Sequence, residues 1–120
     1  MSSIPINDEE VRAVVTSNLT SQERDRAVAY AVTEPVSAGA VLEFPNLTLP
    51  VPWEAVLAFV DREPLANWAH SCRYILARRD GDEVISVDAR FPPFHSPVPL
   101  SWRVVHRAPG IPDSALGIKS

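Results

Sequence analysis

The stretch CRYILARRDGDEVISVDA, residues 72–89, decides the fold because it has the pattern of a β-hairpin. Two runs rich in β-branched and aromatic residues flank an Asp-Gly dipeptide at 80–81, where glycine supplies the positive φ of a tight turn. In plain alternation, Ile85, Val87 and Ala89 share one face of the second strand, and we expect that face to contact the core. The sequence therefore predicts an antiparallel sheet built around this hairpin.

Further strand signals lie on the N-terminal side of this hairpin. Residues 40–51 predict a second hairpin, with a Pro-Asn turn at 45–46 and prolines that favour a sheet edge for its second strand. Residues 54–61, EAVLAFVD, fit either a helix or a strand buried on both faces, and we favour the strand.

The first quarter of the chain carries helix signals. Capping boxes begin at Asn7 and Thr20, each followed three residues later by a glutamate that can bond back to the cap. We therefore predict a helix over 8–18 and a second helix over 21–32 that becomes a strand near Tyr30.

Prolines dominate the C-terminal part, because six of the 12 lie between positions 92 and 112. Residues 91–99 predict an extended arm in the polyproline conformation, which can either dock on a partner or fold back over this domain's own sheet edge or hydrophobic face. Residues 100–106 predict a last short strand. We expect residues 108–120 to form a loose tail. The predicted organisation is a single domain over 1–107, with the arm starting at about 91.

Helices followed by strands are typical of the α+β class. We predict one or two N-terminal helices packed on a curved antiparallel sheet of four to six short strands. In outline this arrangement resembles the cystatin and propeptide folds. The resemblance rests on the order of elements alone, so it implies no function by itself.

Composition narrows the classes of function. The 120 residues are 46% hydrophobic and 22% charged, which fits one globular domain, and the net charge of −4 disfavours nucleic acid as a partner. No apolar run is long enough to span a membrane, and the N-terminal residues lack signal-peptide features, so we expect a cytoplasmic protein without a membrane partner. The single cysteine excludes an internal disulfide and a cysteine-built zinc site, and no metal or cofactor is expected.

The densest group of chemically capable side chains lies at 67–74, NWAHSCRY. Aromatic and arginine side chains contribute most of the binding energy at protein interfaces. Together with the aromatic residues in and after the arm, this group supplies the candidate contacts with a partner protein: Trp68, His70, Arg73, Phe91, Phe94 and Trp102. The leading hypothesis is therefore a small non-enzymatic protein–protein interaction domain, such as an adaptor, an inhibitor or a propeptide-like module.

Two alternatives stay open. Cys72 and His70 lie two residues apart, so in an extended segment they point to the same side, where the imidazole can lower the pKa of the thiol. That pair suggests a thiol-dependent enzyme or redox protein, whereas a purely structural interpretation buries Cys72 at the start of a core strand. The other alternative is a small-ligand site in a cavity between the helices and the sheet.

Overall fold

The computed structural model describes residues 7–32, 34–44, 47–64, 71–93 and 101–112. Within these ranges the chain has the α+β class that the sequence predicts. The elements are α1 (Asp8–Ser17), α2 (Ser21–Arg26), β1 (Val28–Val32), β2 (Val41–Phe44), β3 (Leu47–Pro50), β4 (Ala55–Asp61), β5 (Cys72–Arg78), β6 (Val84–Ala89) and β7 (Trp102–Arg107). Neither described helix is long and apolar enough to cross a membrane.

Both helices begin at the predicted caps. The Asn7 side chain accepts a hydrogen bond from the backbone N–H of Glu10 at 2.8 Å. At the second helix, Thr20 and Glu23 form a complete capping box, in which each side chain accepts from the other residue's backbone N–H. Local hydrogen bonding therefore fixes where each helix starts.

The prediction that the second helix continues toward Tyr30 is wrong. Helix α2 ends at Arg26, and β1 begins at Val28, two residues before the predicted change. Residues 27–31 are buried on all sides. A segment with no polar face fits the centre of a covered sheet better than a short surface helix.

The main sheet has five antiparallel strands in the order β6-β5-β4-β1-β7. The prediction of a strand over 54–61 is confirmed by β4, which is buried along its whole length. Its two neighbours and the layers on both of its faces remove every residue from water, so a continuous apolar run replaces the usual alternation.

The two faces of the main sheet are covered differently. Helix α1 packs on one face, where its Val11 and Val15, together with Leu19 just after the helix, meet the small side chains of the central strands. The hairpin predicted over 40–51 is confirmed as β2 and β3, which pair with each other. Within the described residues this two-stranded sheet, which we call the ribbon, forms a separate layer over the opposite face of the main sheet. It does not form an edge of the main sheet.

The hairpin over 72–89 is confirmed as β5 and β6, and its face assignment is correct. Ile85, Val87 and Ala89 are half-buried, whereas the alternate residues of β6 are exposed. The expected positive φ at Gly81 is wrong, because the strands are joined by five residues, 79–83, and the longer connection needs no left-handed residue there.

The described part of the C-terminal region, residues 101–112, contains the last strand of the main sheet. Strand β7 confirms the last predicted strand, and it contains Trp102. Ala108 is buried, and its N–H donates to the carbonyl of Ala27 at 3.1 Å. Most of the predicted arm, 94–99, and the end of the predicted tail, 113–120, lie outside the described residues.

Candidate functional site

Cys72 lies at the start of β5, opposite Asp61 in the β4–β5 register, and its side chain is fully buried. Burial, together with the nearby carboxylate of Asp61, raises the pKa of Cys72 to about 12. His70, its supposed activating base, lies outside the described residues. A neutral, inaccessible thiol is a poor nucleophile, so this geometry supports the structural interpretation of Cys72 and not the thiol-enzyme hypothesis.

We expect the thiol of Cys72 to stay unmodified when the native protein is treated with an alkylating reagent near pH 8. The same thiol reacts once the chain is unfolded in urea, because burial is its only protection. Mass spectrometry after a timed pulse measures both states. The variant Thr48→Cys, which adds a thiol at an exposed position of β3, serves as the reference and gains one adduct in the native state. Labelling of Cys72 at the rate of this reference contradicts the prediction.

Arg73 does not lie on the surface as predicted. Only 11% of its side chain is exposed, because its guanidinium is used inside the domain. It donates to both carboxylate oxygens of Glu23, at 2.6 and 3.1 Å, and also to Asn18 O and Ser86 Oγ. Because these donors already bind α2 to the sheet, the structure gives no support to the prediction that Arg73 contacts a partner, and that role stays a prediction.

Glu23 is the centre of an ion cluster that also contains Arg62 and Arg73, whereas its position in the sequence indicates only a helix cap. Its carboxylate accepts from the backbone N–H of Thr20 and from the guanidinium groups of Arg62 and Arg73. Burial alone would raise the pKa of Glu23, but these hydrogen bonds outweigh it and leave the pKa below its ordinary value. A buried glutamate in this setting stays ionised and ties three elements together.

A cleft of about 430 Å³ opens beside this cluster at the start of α2. Its lining includes Glu23, Arg62, Glu63 and Ser71. Arg62 already donates to Glu23, Ser71 and Asp88, and Glu63 accepts from the N–H of Ser71. Because these four groups bind one another, they offer few free donors or acceptors to a ligand, although the exposed Gln22 and Arg26 also line the cleft.

The helix–sheet interface does not have the shape that the small-ligand hypothesis needs. Val11, Val15 and Leu19 of the α1 segment fill the space over the sheet, and each is at most 5% exposed. A ligand cavity in this layer needs side chains that leave a gap, whereas these side chains pack directly on the alanines of β1 and β4.

Of the predicted aromatic contacts, the structure describes Phe91 and Trp102. Phe91 is half-buried, and its carbonyl accepts a 2.7 Å hydrogen bond from the hydroxyl of Tyr74. Trp102 is half-buried and lies opposite Val32 in the sheet, so it belongs to β7 and not to an arm. The remaining predicted contacts lie outside the described residues: Trp68, His70 and Phe94.

The two edges of the main sheet differ in how they are protected. At β7, the Arg12 guanidinium donates to the carbonyl of Val105 at 2.7 Å, and the ring of His106 bonds to the carbonyl of Arg24 at 2.9 Å. A register shift between Ala29 and Tyr30 also interrupts the pairing of β1 with β7. Irregular pairing and charged side chains are the usual means by which proteins prevent strand addition.

The outer edge of β6 is less protected among the described residues, because Asp88 is the one charged side chain of this strand and is paired with Arg62 of the same chain at 2.7 Å. Its sequence, VISVDA, contains neither proline nor lysine, and its pairing with β5 is regular through all six residues. Val84 is 41% exposed, which makes it one of two large apolar side chains exposed in the described ranges. This edge is the best candidate site that the structure offers.

The β5–β6 hydrogen bonds fix which backbone groups of β6 point outward. The N–H of Arg78 donates to the carbonyl of Glu83 at 2.9 Å, so Glu83 faces β5. Because inward and outward groups alternate along an antiparallel strand, the backbone groups of Val84, Ser86 and Asp88 point away from the sheet. Three N–H donors and three carbonyl acceptors therefore line the open edge.

Within the described ranges, no group of three or more His, Cys, Asp or Glu side chains is placed to hold a metal ion. Comparison with protein-family models, curated proteins and solved structures finds no match to this chain.

Proposed function

We propose that the chain is a non-enzymatic protein–protein interaction domain that binds a partner strand along the outer edge of β6. The observation that carries this proposal is the contrast between the two edges, since in the part of the chain that the structure describes β7 is protected and β6 is open. An added strand gains main-chain hydrogen bonds from the edge and side-chain contacts from alternate residues. The exposed Val84 supplies an apolar contact on one side of such a strand.

Adaptor, inhibitor and propeptide-like roles all belong to this class of function, and the identity of the bound protein distinguishes them. The proposed surface is adjacent to part of the predicted one, because β6 leads directly into Phe91 and the proline-rich segment after it. A cytoplasmic location is part of the proposal, since an unpaired cysteine persists most readily in a reducing compartment.

Site-specific photo-crosslinking in the cells that produce the protein tests this proposal. Val84 is replaced by p-benzoylphenylalanine, and the matched control carries the same amino acid at the exposed Thr48 of β3. We expect a discrete covalent adduct from position 84 and none from position 48. The adduct disappears when Ser86→Pro is added, because proline removes an outward N–H, leaves the backbone bonds to β5 in place and costs only the side-chain bond from Arg73 to Ser86 Oγ.

Equal adducts from both positions, or no adduct from position 84, overturn the proposal. Persistence of the adduct in the Ser86→Pro background also contradicts it, provided that circular dichroism shows that this variant is folded. Mass spectrometry of the adduct then identifies the second protein, and its capture supports strand addition only when it is lost in the folded Ser86→Pro background.

A further inference from the structure

We propose that the strand added to β6 is β6 of a second copy of this chain, which joins two five-stranded sheets into one. This inference rests on the proposed function, and it names the partner. It follows from the sequence of the strand, because β6 is complementary to itself when it is rotated by 180° and paired antiparallel. A two-fold axis perpendicular to the sheet at Ser86 generates this pairing.

Backbone pairing about this axis uses every outward group. Ser86 faces Ser86 of the second copy, and Val84 faces Asp88 of the second copy in both directions. These residues are the ones whose N–H and carbonyl groups point outward, so the interface holds six N–H···O bonds. No charged residue lies on the axis itself.

Side chains on the ribbon-covered face also match. Ile85 faces Val87 of the second copy, and by symmetry Val87 faces Ile85 of the second copy. Both residues are half-buried in the monomer, where they pack at the margin of the ribbon-side core. Apolar side chains directly opposite each other stabilise antiparallel strands, and this pairing continues the core layer across the axis.

Charges just beyond the strand ends favour this register over two others that the strand allows. With the axis at Ser86, the exposed Asp82 faces the exposed Arg90 of the second copy, and this pair of opposite charges occurs twice. An axis at Ile85 instead places Asp82 opposite Asp88 of the second copy. An axis at Asp88 places the two Asp88 side chains against each other, so like charges disfavour both of these registers.

On the helix-side face the pairing brings no like charges together. Asp88 forms an ion pair with Arg62 of its own chain at 2.7 Å and faces Val84 of the second copy. Ser86 Oγ accepts from Arg73, so the centre of this face is neutral and already hydrogen-bonded. The interface therefore needs no rearrangement of the ion cluster behind it.

Charge exchange tests this inference on the purified full chain. Analytical ultracentrifugation at low salt is expected to show a dimer of the natural protein. Asp82→Arg alone, or Arg90→Glu alone, places like charges opposite each other twice and weakens dimerisation by about tenfold or more. A mixture of the two single variants restores dimerisation, because both contacts in the mixed dimer again join opposite charges.

Oxidative cross-linking locates the axis independently. Cα atoms of a hydrogen-bonded antiparallel pair lie about 5.5 Å apart, which permits a disulfide. Ser86→Cys is therefore expected to form a disulfide-linked dimer under mild oxidation, whereas Thr48→Cys is not. The buried Cys72 does not compete for this bond.

Two results overturn the inference. One is a natural protein that stays monomeric at the highest soluble concentration. The other is a dimer that neither charge variant weakens. If the protein is monomeric and the cross-linker at position 84 captures a different protein, the second-copy inference fails while the proposed function stands. If that cross-linker captures nothing, the proposed function fails as well.

Discussion

Replacing Glu23 with glutamine is expected to lower the free energy of unfolding by about 3 kcal/mol, measured by urea denaturation at pH 7. Glutamine keeps the size of the side chain and an oxygen for the cap, but the change removes the charge and replaces one acceptor oxygen with an N–H donor. Arg73 and Arg62 then lose their shared carboxylate, and an unpaired charge in a buried site is destabilising by about 3–5 kcal/mol. The lower end applies because the Arg62 side chain is 31% exposed and therefore partly hydrated.

Asp88→Asn is the matched control for this variant. It removes another carboxylate partner of Arg62, but the Asp88 side chain is 78% exposed. Water replaces most of what this exposed pair contributes, so its loss lowers the free energy of unfolding by about 1 kcal/mol or less. Equal losses in the two variants show that Glu23 is no more than a surface partner, which contradicts the prediction.

The same ion cluster gives the natural protein an acid-dependent stability. The pKa of Glu23 in the folded protein lies below its ordinary value of 4.5, so its stabilisation is complete above pH 4.5. That stabilisation is lost as the pH falls below 4.5 and through the lower pKa of the folded state. Glu23→Gln removes this contribution, so its free energy of unfolding falls less steeply between neutral and acidic pH than that of the natural protein.

The parts of the fold that local interactions determine were predictable from the sequence. Each helix begins at a cap whose partners lie within three residues, and the hairpin over 72–89 joins strands that are neighbours along the chain. Strand β4 was predictable because a run of apolar residues that ends at Asp61 is typical of a strand covered on both faces.

The parts that depend on distant contacts were not predictable. The hairpin over 40–51 has the pattern of an edge pair, and nothing within it indicates that it covers the sheet face that carries Tyr74. Helix α2 ends where β1 enters the sheet between β4 and β7, and both of these strands lie far along the chain. The prediction of a helix over 21–32 uses only the local pattern of residues. It therefore misses the pairing with β4 and β7 that makes residues 28–32 a strand.

The candidate site also depends on contacts between residues that lie far apart in the sequence. Arginine is a residue type that is common at protein interfaces, so Arg73 was predicted to contact a partner. Its actual partner, Glu23, lies 50 residues away, and a pair at that distance leaves no periodic signal in the sequence. The edge position of β6 likewise depends on the order of strands in the sheet. Its alternating pattern indicates which face is buried, but it does not indicate whether another strand follows.

Replacing Phe59 with alanine is expected to lower the free energy of unfolding by about 4 kcal/mol, within the range for truncating a buried aromatic side chain. Phe59 lies at the centre of the sheet and is fully buried. Its ring stacks on Tyr30 with a centroid distance of 5.9 Å and contacts Tyr74 at 5.4 Å. Alanine therefore leaves a cavity between two rings that the sheet register holds in place, and neither ring can move in to fill it.

Phe44→Ala is the matched control, since it removes the same ring from the outer end of the same aromatic row. Phe44 stacks on Tyr74 at 4.5 Å, but it belongs to the ribbon and is only half-buried. Solvent and the ribbon itself can adjust around the missing ring, so we expect a loss of about 1–2 kcal/mol. Denaturant unfolding followed by circular dichroism measures both variants against the natural protein. A loss at Phe44 as large as that at Phe59 contradicts this ranking, because it makes the ribbon as essential to the core as the central strand.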